Sequence, residues 1–216
     1  MTSTPGAVIF DMDGVIVDSE PRHEKAFLEV IREIGYGEGH GLKFADYVGR
    51  SDQDLWVDFI SKHKPMQTLE QLLEMKRRRV VEIIRRDEPL FVGLPALIEK
   101  LAPEFRLGLA SGSDRQVVDA VLALKGLRGF FSVTVTAQEV ERGKPAPDIF
   151  LRTAQLLNTA PGDCWVIEDS KPGIAAGLAA GMRVIAITNT HSRSELMPAT
   201  CVVESYAEIE RLLLHG

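Results

Sequence analysis

Apolar positions along the chain follow two different periods. Short runs rich in β-branched and aromatic residues occur at Val8–Phe10, Arg106–Ala110, Val133–Val135, Cys164–Ile167, Val184–Ile187 and Cys201–Val203. Runs of that length and composition read as buried strands. Between them, apolar residues repeat at helical spacing over Leu94–Leu101, Val117–Leu124, Asp148–Leu157, Gly173–Ala180 and Tyr206–Leu214. The small residues of Gly173–Ala180 permit close packing on a sheet. Strands that alternate with helices predict right-handed βαβ units and a parallel sheet.

The stretch from Gly14 to Leu90 has no clear strand pattern. Asp18 and Ser19 are good helix starters and Pro21 suits a first turn. Over Arg22–Ile34, residues Ala26, Phe27, Val30, Ile31 and Ile34 share one helical face. Gly35 ends that helix, and Gly37, Gly39 and Gly41 make a loop. Val48–Ser51 reads as a turn, and Asp54–Lys62 and Leu69–Arg86 as further helices. The expected class is α/β: a Rossmann-like parallel sheet core of residues 1–16 and 91–216, interrupted after its first strand by an all-helical domain of residues 17–90. An insertion at that point would hang over the carboxyl ends of the strands as a lid.

The composition narrows the function classes. Lys plus Arg is 25 and Asp plus Glu is 31, so the formal net charge is −6. That balance argues against a general nucleic-acid or membrane-surface binder. No apolar run is long enough to span a bilayer. Residues Met1–Gly6 show neither a basic stretch nor a long apolar one, so a signal peptide is not expected and the cytoplasm is the default location. The two cysteines, Cys164 and Cys201, lie in apolar contexts without metal-ligand spacing and read as buried thiols. A monomer or a weak homodimer is expected.

Candidate chemistry begins at Val8-Ile9-Phe10-Asp11-Met12-Asp13-Gly14. In a parallel α/β sheet, ligands bind outside the carboxyl ends of the strands, which puts Asp11 and Asp13 at the lip of a site. Two carboxylates that close repel unless a cation or a shared proton offsets them, and a hard cation such as Mg²⁺ suits oxygen ligands. Ser111 follows the second strand, and Glu168 and Asp169 a later one. Lys144 lies in the stiff loop Arg142-Gly143-Lys144-Pro145-Ala146-Pro147. Carboxylates, a hydroxyl, a lysine and a helix N-terminus are what a phosphate site needs. Each also has a plainer role: Ser111 or Glu168 as a helix cap, Lys144 as a solvated charge. All of them at sheet-edge positions favour a site.

These residues resemble motifs of the haloacid dehalogenase superfamily. Asp11-Met12-Asp13-Gly14-Val15, Ser111, Lys144-Pro145 and Glu168-Asp169 stand in the order of its four motifs, and the resemblance covers essentially the whole chain. The longer matches, Asp11 to Pro21, Gly143 to Phe150 and Glu168 to Gly173, are similar to the subfamily I branch with a helical cap. That branch includes sugar-phosphate phosphatases and β-phosphoglucomutase. The resemblance implies an Mg²⁺-dependent enzyme acting on a small phosphorylated metabolite. It implies Asp11 as nucleophile, Asp13 as general acid and base, and Ser111 and Lys144 as holders of the phosphoryl oxygens. The metal would be held by Asp11, the backbone carbonyl of Asp13, Asp169 and a nearby or ligating Glu168.

Gly112, His23, Arg50 and Ser51 are implied on the substrate side. His23, within Arg22-His23-Glu24-Lys25, also reads as a surface residue. Gly49-Arg50-Ser51-Asp52 resembles the family's substrate loop, but Asp52 and Val48 replace the arginine and lysine of the mutase. Lys76-Arg77-Arg78-Arg79 reads as a solvated helix face with charges meeting Glu70 and Glu74, or as a positive charge for a substrate's far end. Three functions follow: phosphatase first, phosphosugar mutase second, and a non-catalytic binding domain on this fold third.

Overall fold

The computed structural model describes residues 6–47 and 52–215. The chain divides into two compact units, Met1–Asp18 with Pro89–Gly216, and Ser19–Glu88. Val48 to Ser51, which contain the expected turn and the candidate residues Arg50 and Ser51, lie outside the described residues.

The larger unit is built on six parallel strands. They are β1 (Ala7–Phe10), β2 (Arg106–Ser111), β3 (Val133–Thr136), β4 (Cys164–Glu168), β5 (Arg183–Ile187) and β6 (Cys201–Val203), in the order β3-β2-β1-β4-β5-β6. Every residue of β1 is buried. Alternate residues point to opposite faces of a strand. Ala7 and Ile9 join one core cluster with Val166, Val184, Phe150 and Ile174. Phe10 packs edge-on against Phe131, with ring centroids 5.7 Å apart. A strand covered on both faces needs a continuous apolar run rather than alternation, which is what Ala7–Phe10 supplies.

The helical unit consists of α1 (Glu20–Glu33), α2 (Asp52–His63) and α3 (Leu69–Asp87), with 3₁₀ turns at Glu38–His40 and Phe44–Tyr47. Its core is aromatic: Phe27, Trp56, Phe59 and Leu72 are fully buried, and the rings of Phe27 and Trp56 lie 5.2 Å apart. α3 starts with a capping box in which the side chains of Thr68 and Gln71 each bond the other's backbone N–H. By contrast, Ser19 gives α1 no side-chain cap.

The helices of the sheet unit are α4 (Leu94–Leu101), α5 (Arg115–Ala123), α6 (Asp148–Leu156), α7 (Lys171–Ala179), α8 (Arg193–Leu196) and α9 (Tyr206–Leu214). All but α8 follow the sequence pattern closely. The four-residue α8 and the 3₁₀ turns, such as Ala137–Glu139, carry too little periodicity to be read from sequence. A Cβ on Gly177 of α7 would press into the side chain of Val184, so α7 sits as close to the sheet as its small residues allow.

Two expectations need correction. Lys76 is not on a solvated face. It is fully buried, ion-paired with Asp52 and 3.4 Å from His23 Nδ1. A lysine can bury its apolar stem wherever its charged head still finds a partner, and here Asp52 is that partner. Arg77 does meet Glu74, but Arg79 crosses to Glu29 and Glu33 on α1. Cys164 is buried, whereas Cys201 on edge strand β6 is only half-buried; both are free thiols. Among the described residues, no helix is long and apolar enough to cross a membrane.

Candidate active site

Strand register assembles the site. Phe10 is level with Leu109 on β2 and Ile167 on β4, and the Asp11 N–H donates to Ile167 O at 2.9 Å. The next residues beyond this line are Asp11, Ala110 with Ser111, and Glu168 with Asp169. β1 is also where the sheet order changes direction, with β2 on one side and β4 on the other. Such a switch point opens a crevice at the carboxyl edge.

Asp11, Glu168 and Asp169 form a buried acidic group whose ligand atoms lie within 4.8 Å of one another. Lys144 reaches in from the loop before α6. Its Nζ pairs with Asp11 Oδ1, donates to Glu168 Oε1 at 2.7 Å and lies 4.9 Å over the Phe150 ring. The ammonium stays charged despite its burial, because Asp11 and Glu168 together outweigh the desolvation. One lysine does not offset three buried acids. Burial pushes the Asp11 carboxyl well up despite Lys144, and burial with the neighbouring Glu168 lifts Asp169 to about 7. Hard oxygen donors with uncompensated negative charge are the donor set of a divalent cation.

Glu168 is tied to the start of α7 as well. Its Oε2 accepts from the N–H groups of Asp169 and Ser170 at 2.8 Å and from Ser170 Oγ at 2.9 Å. Ser170 Oγ in turn caps Gly173 N. A Cβ on Gly173 would collide with the Glu168 carboxylate, so glycine is needed for this close approach. Gly14 is constrained in the same way: its φ is +76° and a Cβ there would strike the Asp169 carboxylate.

Asp13 lies outside this group, although its charge still acts on Asp11 and Asp169. Ser113 Oγ donates to Asp13 Oδ2 at 2.7 Å, and Ser111 Oγ stands 3.4 Å from the same oxygen. The Asp13 side chain is not a member of the acidic cluster. Ser111 is fully buried and its Oγ also accepts from Ser113 N, so it serves the loop turn and the site together. Gly112 is exposed with open space beside its Cα. His23 is half-buried in the helical unit next to Lys76.

Ser113, Asn189, Thr190 and Tyr206 join the site without having stood out in the sequence. The Thr190 hydroxyl bonds Asp169 Oδ2. Asn189 Nδ2 donates to Gly14 O at 2.7 Å, and Tyr206 OH donates to Val15 O at 2.6 Å. Thr188-Asn189-Thr190-His191 does carry a usable signal, as a polar run directly after an apolar strand. Tyr206 opens a distant helix and carries no such signal.

Comparison with known proteins agrees with this architecture. A family model described as haloacid dehalogenase-like hydrolase matches residues 5–181. Hexitol phosphatase B of Escherichia coli (strain K12) is 30% identical over 193 residues, covering 88% of this chain and 86% of that one. Fructose-1-phosphate phosphatase YqaB of the same organism is 32% identical over 178 residues, covering 82% and 94%. Among solved structures, a putative β-phosphoglucomutase from Thermotoga maritima superposes with a TM-score of 0.80 at 25% identity, covering 97% of this chain and 99% of that one. CbbY from Rhodobacter sphaeroides in complex with phosphate shares the fold, with a TM-score of 0.81 at 24% identity and coverage of 95% and 96%. The buried acid–lysine group at the sheet edge, the matching family model and these phosphatase relatives lead to one assignment: the chain belongs to the haloacid dehalogenase-like hydrolases.

Proposed function

We propose that this hydrolase is an Mg²⁺-dependent phosphatase that removes phosphate from small phosphorylated metabolites, sugar phosphates foremost, through a phosphoaspartate on Asp11. The observation that carries the reading is the division of labour between two carboxylates. Asp11 sits with Lys144, Glu168 and Asp169, whereas Asp13 is turned towards Ser111 and Ser113. With a divalent cation offsetting the neighbouring acids, the first environment would suit an ionised nucleophile; the second, lined by hydroxyls, suits a general acid and base.

In the first half-reaction, an Asp11 carboxylate oxygen forms a bond to phosphorus and the ester O–P bond breaks. Asp13 gives its proton to the departing alcohol oxygen. In the second, Asp13 takes a proton from a water that attacks the phosphoryl group, the Asp11–phosphorus bond breaks and inorganic phosphate leaves. Ser111 and Lys144 hold the transferring oxygens, with Gly112 alongside. Asp11, Asp169, Glu168 and the Asp13 carbonyl would hold Mg²⁺, which when bound spreads the charge that develops on the phosphoryl group. His23, Arg50 and Ser51 are proposed to meet the non-reacting end of the substrate.

The competing reading is a phosphosugar mutase, which must grip a second phosphate with a cation. Where the mutase resemblance calls for an arginine, this chain has Asp52, and Asp52 already engages Lys76. An anion at that position opposes a distal phosphate. The test is incubation with β-glucose 1-phosphate, a trace of the 1,6-bisphosphate and Mg²⁺, following free phosphate and glucose 6-phosphate together. Phosphate release is expected to dominate. Fast isomerisation with negligible release would overturn the phosphatase in favour of the mutase. A panel of phosphorylated metabolites then identifies the substrate.

A further inference from the structure

We infer that the segment Thr188–His191, which leaves the carboxyl end of β5, holds the two working carboxylates in place by separate routes: Asn189 with Tyr206 positions the turn that carries Asp13, and Thr190 positions Asp169. The inference rests on the proposed roles of those carboxylates and extends them to residues outside the four motifs.

The first route runs through backbone carbonyls. Gly14 N–H donates to Val17 O at 2.9 Å. The peptide plane makes the Asp13 carbonyl point the opposite way, so this bond fixes that carbonyl's direction. Asn189 Nδ2 donates to Gly14 O at 2.7 Å and to Tyr206 OH at 2.9 Å. Tyr206 OH donates to Val15 O at 2.6 Å. A carbonyl only accepts, so Gly14 O sets which end of the Asn189 amide faces it. Burial keeps the Tyr206 phenol protonated and thus a donor. Two consecutive carbonyls after Asp13 are therefore satisfied by side chains from elsewhere in the unit. The local turn does not satisfy them: the N–H groups of Val15, Ile16 and Val17 all turn back to Met12 O. Asp13 is then held at its carboxylate by Ser113, and the backbone of the two residues that follow it is held by Asn189 and Tyr206.

The second route is a side-chain contact. Thr190 Oγ1 bonds Asp169 Oδ2 and is 2.9 Å from His191 Nδ1. A hydroxyl that donates to one carboxylate oxygen leaves the other to face the acidic cluster, which is how outer groups orient metal ligands.

The two routes separate experimentally. Asn189→Ala and Tyr206→Phe are expected to lower turnover about five- to tenfold, the scale of one lost hydrogen bond. The loss should be greater for an alkyl phosphate than for p-nitrophenyl phosphate, whose leaving group needs little protonation. Mg²⁺ affinity measured by calorimetry should change little, because the Gly14–Val17 bond that aims the Asp13 carbonyl remains. Thr190→Val should do the reverse, weakening calorimetric Mg²⁺ binding severalfold while leaving the ratio of the two substrates unchanged. Equal losses on both substrates in the first two variants, or unaltered Mg²⁺ binding in the third, would overturn the inference. Asp13→Ala is run alongside: if it shows no leaving-group dependence, the acid–base reading of Asp13 fails and the Asn189 route fails with it.

Discussion

Asp11 and Asp13 are two positions apart, yet one lies against Lys144 and two further acids while the other accepts from Ser113. Substitution should reveal that difference. Asp11→Asn is expected to bring phosphate release down to background while circular dichroism and melting temperature stay near wild type. The amide has the carboxylate's shape but is a poor nucleophile. Normal kcat in a well-folded Asp11→Asn protein would exclude the phosphoaspartate. Asp13→Ala should cost about 10²–10⁴-fold in the chemical step, the usual range for a lost acid–base group. That loss should shrink for p-nitrophenyl phosphate; the same fractional loss on an alkyl phosphate would remove Asp13 from the acid role. The motif residues are legible in sequence as a set, because each alone has a plainer role but together they stand just beyond several apolar strands. The polar run with Asn189 and Thr190 after β5 marks a place but not a partner, and Ser113 and Tyr206 do not stand out, because a hydroxyl, amide or phenol acquires meaning only from the atom it faces.

Among the elements, the helical unit is held by an aromatic core and a few buried polar contacts. Lys76 on α3 is fully buried while the Asp52 side chain at the start of α2 is 44% exposed. Removing the partner of a buried charge costs more than replacing the charge itself. Asp52→Asn should therefore destabilise the protein by about 1–3 kcal/mol, less than the fully buried case because Asp52 is partly solvated. Lys76→Met should cost less; urea unfolding of both variants gives the order, and a more damaging Lys76→Met would contradict it.

His40 supplies a pH test. It is buried, its Nδ1 accepts from Leu42 N at 3.3 Å, and burial, with the electrostatic influence of neighbouring His63 and Lys62, lowers its pKa from 6.5. The unfolded chain takes up the His40 proton first as pH falls, so stability is full above about pH 6.5 and declines below it. His40→Gln should flatten the fall in melting temperature between about pH 7 and 5. An unchanged slope would show that His40 contributes nothing to it. The run Lys76 to Arg79 reads differently in sequence and in structure for a related reason. A helical repeat shows which residues share a face, not which face a neighbouring helix covers.

For the whole molecule, the sheet brings together residues more than 150 positions apart in sequence, Asp11 and Glu168 among them. Folding thus concentrates negative charge at one edge, which a bound divalent cation would offset. EDTA is expected to abolish activity and Mg²⁺ to restore it. Because the cation binds the folded site and not the unfolded chain, Mg²⁺ at 100 times its dissociation constant should also stabilise by about 2.7 kcal/mol. Activity indifferent to chelator, with no thermal shift on adding Mg²⁺, would contradict the metal assignment.

Local regularities of the chain suffice for the class of fold, the approximate bounds of most strands and helices, and the acids, serine and lysine of the site. Those regularities are the hydrophobic period, the turn residues, and polar residues placed just beyond apolar strands. Packing was needed for the strand order, the separation of Asp13 from the Asp11–Glu168–Asp169 group, the burial of Lys76, and the contacts of Asn189, Thr190 and Tyr206 with the motif residues. Each of these depends on register between segments far apart in the chain. A hydrogen bond is made or lost over about 1 Å, and that distance is set by the packed sheet rather than by any local pattern.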